Sequence, residues 1–77
     1  MKKVDNVKNI SNYKVRIIKK ILTNDENIIN QFYNIGIYPG NQIYICDYSS
    51  NKKIKHVIID NIQYAIRLTD LQKIILD

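Results

Sequence analysis

Both glycines and the only proline of the chain fall within five positions, in Gly36-Ile37-Tyr38-Pro39-Gly40. No other segment has residues that enter left-handed backbone space without strain or that forbid helix outright, so the sharpest change of direction belongs here. Upstream, Ile28, Ile29, Phe32, Tyr33 and Ile35 recur at helical spacing, with Asn27, Asn30, Gln31 and Asn34 on the opposite face. Thr23-Asn24-Asp25-Glu26 reads as the start of that helix, with Thr23 accepting from the Glu26 N–H and Glu26 reaching back. Downstream, Ile43 and Ile45 alternate with Tyr44, Cys46 and Tyr48 as in a strand. Gly36 is therefore expected to end the helix in the left-handed conformation, with Ile37 folding back onto the last turn. Pro39 blocks further helix and Gly40 allows the positive φ of a tight turn.

The remaining segments read as short strands. Lys14–Leu22 is β-branched and basic, and its adjacent Ile17 and Ile18 leave the register open. Residues 1–13 are polar, with Val4, Val7 and Ile10 spaced at three, a pattern suited to a turn or short helical lead-in. Ser49–Lys53 is a loop and Ile54–Asp60 a return strand. Asp60-Asn61 is a two-residue turn in which Asn61 supplies the left-handed residue. A strand over Ile62–Leu68, a helical turn over Thr69–Gln72 and a strand over Lys73–Leu76 complete the chain. The pattern predicts a mainly β domain over residues 14–77, a small closed sheet of about five strands with one short helix between the first and second.

Seventy-seven residues make one domain, and with Cys46 as the sole cysteine no disulfide reinforces its small core. The lone thiol and the absence of a signal-like apolar run point to the cytoplasm. No apolar stretch approaches the ~20 residues needed to cross a bilayer. The formal charge of +5 is uneven: Lys2, Lys3, Lys8, Lys14, Arg16, Lys19 and Lys20 face Asp5 alone in the first 20 residues. Such an arm can track phosphates, or it can be a solvated tail and first strand.

Catalytic chemistry has little to draw on, since the chain has one His, one Cys and one Glu. If Ile43 and Ile45 face inward along one strand and Val57 and Ile59 along the next, Cys46 and His56 share the other face, without an acid to orient them. One thiol and one imidazole do not make a metal shell, so no catalytic residue, metal ligand or cofactor is expected. Binding has more support. Six tyrosines and one phenylalanine are many for a domain this small, and tyrosine suits interfaces because its ring is apolar and its tip tolerates water. Tyr33 and Tyr38, at the helix end and the stiff turn, form one candidate docking surface. Tyr44, Cys46, Tyr48 and Ile58 form an outward patch, from which Tyr44 and Ile58 are the second candidate.

The segment Ile35-Gly36-Ile37-Tyr38-Pro39-Gly40, with Ile43 and Ile45 beyond it and Ala65-Ile66-Arg67 followed by Thr69–Ile74, resembles the FeoA family. The resemblance covers nearly the whole chain. Ile35 replaces the usual leucine and Asn61 a glycine; Tyr33 and the basic first strand depart further. The resemblance implies an SH3-like barrel that is not an enzyme. It further implies an accessory role in ferrous iron uptake, through contact with the cytosolic GTPase portion of a FeoB-type transporter, which would be its only route to a membrane. Stoichiometric metal is not expected, and self-association is left open. The rival readings are a small basic barrel that binds nucleic acid through its N-terminal third, and a free-standing SH3-like domain of the kind attached to iron-dependent repressors.

Overall fold

The computed structural model describes residues 12–46 and 52–77, together with the backbone of residues 2–4. Its elements in chain order are β1 (Lys2–Val4), β2 (Tyr13–Ile21), α1 (Glu26–Ile35), β3 (Gln42–Cys46), β4 (Ile54–Ile59), β5 (Ile62–Arg67), α2 (Leu68–Leu71) and β6 (Ile74–Leu76). All strand pairs are antiparallel, in the order β1-β5-β4-β3-β2-β6. The mainly β, SH3-like architecture expected from the sequence is present, with α1 between β2 and β3.

Two expectations are corrected. Lys2–Val4 is a strand and not a turn or helical lead-in, pairing Lys2 with Ala65, Lys3 with Tyr64 and Val4 with Gln63. The open edge of β5 offers a row of unpaired N–H and C=O groups, and a three-residue strand satisfies them whatever its side-chain pattern. The rest of the lead-in, with Val7 and Ile10, lies outside the described residues. The helix cap is Asp25 and not Thr23: the Asn27 N–H donates to Asp25 Oδ1 at 3.0 Å, while Thr23 Oγ1 accepts from the Asp25 N–H at 3.1 Å. Leu22 is still tied to the sheet end by donation to the Lys73 carbonyl at 2.6 Å, so Thr23 and Asn24 are needed to turn the chain before the helix starts.

The open register of the first long strand has a structural cause. β2 pairs with β3 through Tyr13–Ile17 and with β6 from Ile18 onward, and the second ladder shifts register between Ile18 and Lys20. A bulge there bends the strand from one partner to the other. Ile18 thereby enters a core with Phe32, Ile37, Ile43, Val57, Ile59 and Ile66, all fully buried, with Tyr64 and Ile74 at its margin. Each fully buried aliphatic or phenyl group contributes about 1.5–3 kcal/mol against exposure.

The helix end is closed as the glycine predicts. Gly36 has φ +100, its N–H donates to the Tyr33 carbonyl at 3.2 Å, and the Ile37 N–H donates to the Phe32 carbonyl at 2.7 Å. This bond pair is the Schellman motif, and the buried Phe32 and Ile37 are its apolar clasp. Tyr38-Pro39-Gly40-Asn41 is then a turn closed by Asn41 N–H donation to the Tyr38 carbonyl at 3.2 Å, with Gly40 at φ +96. Proline second and a positive-φ glycine third is what a type II turn demands. The Gly40 N–H and the Asn41 carbonyl both bond Ile18 of β2, and Asn41 Nδ2 donates to the Gly36 carbonyl at 2.7 Å. Gly36 also lies against the β4–β5 turn, where a Cβ would stand 2.6 Å from Ile59 Cγ2 and 2.6 Å from Asp60 Oδ2. In that turn Asp60 joins Asn61 at positive φ, 52 and 68, as a two-residue hairpin of type I′ requires at both positions.

The sheet face turned away from the core is apolar too. Tyr13 stands opposite Cys46, and Ile58 stands between Tyr44 and Gln63. Tyr13 belongs to β2 and Gln63 to β5, with β3 and β4 between them, yet Gln63 Nε2 donates to the Tyr13 hydroxyl at 2.7 Å. The two side chains therefore meet across the intervening strands and roof the face that carries Cys46 and Ile58. Burial raises the Tyr13 hydroxyl above its ordinary value of 10.0, the nearby Cys46 thiolate adds to the rise, and the Gln63 hydrogen bond opposes it.

Two outcomes are expected. Gly36→Ala, which adds both strain and a clash, lowers the unfolding free energy by about 2–4 kcal/mol, whereas Gly40→Ala, with nothing within 4 Å of its Cβ, costs about 1 kcal/mol from φ alone. Equal urea midpoints for the two variants would remove the contact with Ile59 and Asp60 from the account. Because the folded state holds the Tyr13 proton more tightly, its contribution is complete below about pH 10 and is lost as pH rises through the folded value. Tyr13→Phe should flatten the fall in denaturation midpoint as pH rises above about 10, and an unchanged slope would show that the hydroxyl is not buried.

Candidate functional site

Tyr33 and Tyr38 are brought together by the helix closure. Tyr33 lies on the last turn of α1 and is 53% exposed, and Tyr38 lies at the turn and is 37% exposed. Their ring centroids are 5.7 Å apart with planes inclined by 30°. The Schellman bonds reverse the chain directly after α1, which sets position 38 over the helix turn that carries position 33. An offset stack of this kind contributes about 0.5–1.5 kcal/mol and narrows the rotamers of both rings. The frame beneath them is stiff, being fixed to β2 through Gly40 and Asn41 and to the β4–β5 turn through Gly36. The last turn of α1 has no basic residue, so the plate the rings form is apolar with two hydroxyl tips.

The second candidate surface is different from the outward patch expected. Ile58 is 5% exposed and Cys46 is buried, while Tyr44 is only half-buried. Alternation correctly turns these residues away from the core, but alternation cannot reveal that Tyr13 and Gln63 meet over the same face. Ile58 is thus a packing residue and offers no surface to a partner. Tyr48 lies outside the described residues. Between β3 and β4 the pairs are Tyr44 with Ile58 and Ile45 with Val57, while Cys46 pairs with Tyr13 and His56 with Ala65 on the outer sides. Among the described residues no three His, Cys, Asp or Glu side chains converge as a metal shell.

Sequence reasoning missed the roles of three residues in this framework. Asn41 locks the Gly36 carbonyl, Asp60 takes the first left-handed position of its turn, and Tyr13 reaches Gln63. The pair Asp60-Asn61 marks the hairpin turn in the sequence, although not the positive φ of its first residue; contacts between residues 50 positions apart leave no local signal.

No helix among the described residues is long and apolar enough to cross a membrane. A search of curated proteins and of solved structures returns no match. The model of the FeoA domain matches residues 7–77, a span that includes the helix, the glycine-proline turn, the hairpin and the closing strand. The match spans most of the chain, and the chain belongs to the FeoA domain family, small accessory domains involved in ferrous iron transport.

Proposed function

We propose that the chain is a non-enzymatic cytoplasmic accessory protein that docks on the cytosolic GTPase portion of a FeoB-type ferrous iron transporter, with Tyr33 and Tyr38 as the contact. The observation that carries this reading is the stacked, exposed ring pair on a frame held at both ends. Aromatic anchors whose rotamers are already restricted lose little entropy on binding, so more of their buried area appears as affinity. Tyr44, half-buried on the roofed face, is a secondary contact, and Gly36, Pro39, Gly40 and Asn61 act only by holding the backbone.

The nucleic-acid reading has less support. The exposed cations of β2 are partly engaged within the chain: Arg16 Nε donates to the Asp77 main-chain oxygen, and Lys19 Nζ lies 3.7 Å from Asp77 Oδ1. A phosphate-tracking strand keeps its cations for the backbone of its ligand.

Calorimetric titration of the transporter's purified cytosolic domain tests the proposal. Tyr38→Ala and Tyr33→Ala should each weaken association by about 1–2 kcal/mol while keeping a cooperative thermal transition, lowered by about 2–12 °C through loss of the stack. Replacing Lys2 and Lys3 by Ala should change it by less than about 0.5 kcal/mol. The reverse ranking, with a steep loss of binding in salt, would make the basic arm the functional element.

A further inference from the structure

The start of β4 and the end of β5 enclose a cleft of about 490 Å³ that no reading above uses. Ile54 and Leu68 line it as apolar groups, and Lys52, Lys53 and Arg67 bring three cations to it. Ile54 pairs directly with Arg67, and the Leu68 N–H donates to the Lys53 carbonyl at 2.9 Å, so the walls belong to one hydrogen-bonded unit. The Arg67 side chain is 76% exposed; its Nε lies 3.9 Å from Asp70 Oδ2, a carboxylate also held by Lys73 at 3.3 Å. Asp70 thus holds Arg67 loosely while neutralising Lys73, and among the described residues no acid lines the cleft.

We infer that this cleft binds an acidic peptide segment of a partner protein, an aliphatic side chain entering between Ile54 and Leu68 while flanking carboxylates meet Lys52, Lys53 and Arg67. The volume lies within the range of sites that enclose a small ligand and exceeds a single side chain. Charge complementarity selects an anionic occupant, and the apolar walls select one with an aliphatic group to bury. A nucleic acid fits less well: among the described residues no aromatic lines the cleft on which a base could stack, and a phosphodiester leaves Ile54 and Leu68 uncovered. The site is separate from the tyrosine plate. Asp60, beside Gly36, and Ile54 lie at opposite ends of β4, about 20 Å apart for a strand of this length.

The test is an NMR titration of the full chain with the synthetic peptide Glu-Glu-Leu-Glu-Glu. Saturable shifts are expected at the amides of Ile54, Leu68, Thr69 and Gln72. Lys52→Glu combined with Arg67→Gln should weaken binding at least about fivefold, and Glu-Glu-Ala-Glu-Glu should bind several-fold more weakly than the leucine peptide. Tyr38→Ala should bind the peptide as the parent does, which separates this site from the proposed transporter contact. Absence of saturable shifts at these amides, or equal affinity for the leucine and alanine peptides, would overturn the inference. So would a single-stranded oligonucleotide that binds more tightly and is released by the same double substitution, or a concentration-dependent dimer that those substitutions dissolve.

Discussion

The fold turns on the contact between Gly36 and the β4–β5 turn. A helix that ends in a left-handed residue needs glycine for its backbone, and here the same atom position is also occupied by Ile59 and Asp60. The end of α1 is therefore wedged into the hairpin, and its angle to the sheet is set by steric contact. Asn41 completes the joint by bonding the Gly36 carbonyl, while the backbone on either side of it bonds Ile18. Helix, turn, hairpin and the bend of β2 meet within a few ångströms. In a domain whose single core supplies only a few kcal/mol of net stability, such a joint matters more than its contact area suggests.

The binding reading follows from that joint. Exposed tyrosines are common, and singly they say little about function. What distinguishes Tyr33 and Tyr38 is that a glycine-closed helix end and a proline turn fix both backbone positions before any partner arrives. The roofed face of the sheet gives the contrasting case. Ile58 and Cys46 have the apolar chemistry of an interface, but Tyr13 and Gln63 already meet over that face. Apolar character alone does not separate a docking surface from a second, minor core.

Charge is distributed with similar consequences. The excess cations of the first 20 residues suggest an arm for anions, yet Arg16 and Lys19 turn to Asp77 beside β6. The smaller group at Lys52, Lys53 and Arg67 stands out less in the sequence but surrounds an apolar recess, where a charged and aliphatic ligand finds both of its requirements.

By itself the sequence determined the element order, the helix end at Gly36, the turn at Pro39-Gly40 and the membership of a small β family, because each rests on local backbone sterics or on periodicity over a few residues. It could name Tyr33 and Tyr38 as candidates for the same reason, since both sit on that locally determined corner. Local rules did not extend to the cap at Asp25, which depends on where Lys73 releases Leu22, or to β1, which exists because β5 has an edge to fill. Only the tertiary structure decided that Ile58 is covered, that Gly36 has no room for a methyl group, and that Arg67 and Lys52 share a cleft. Each of these joins residues far apart in the chain, and proximity of that kind is set by how the sheet bends and not by any pattern along one strand.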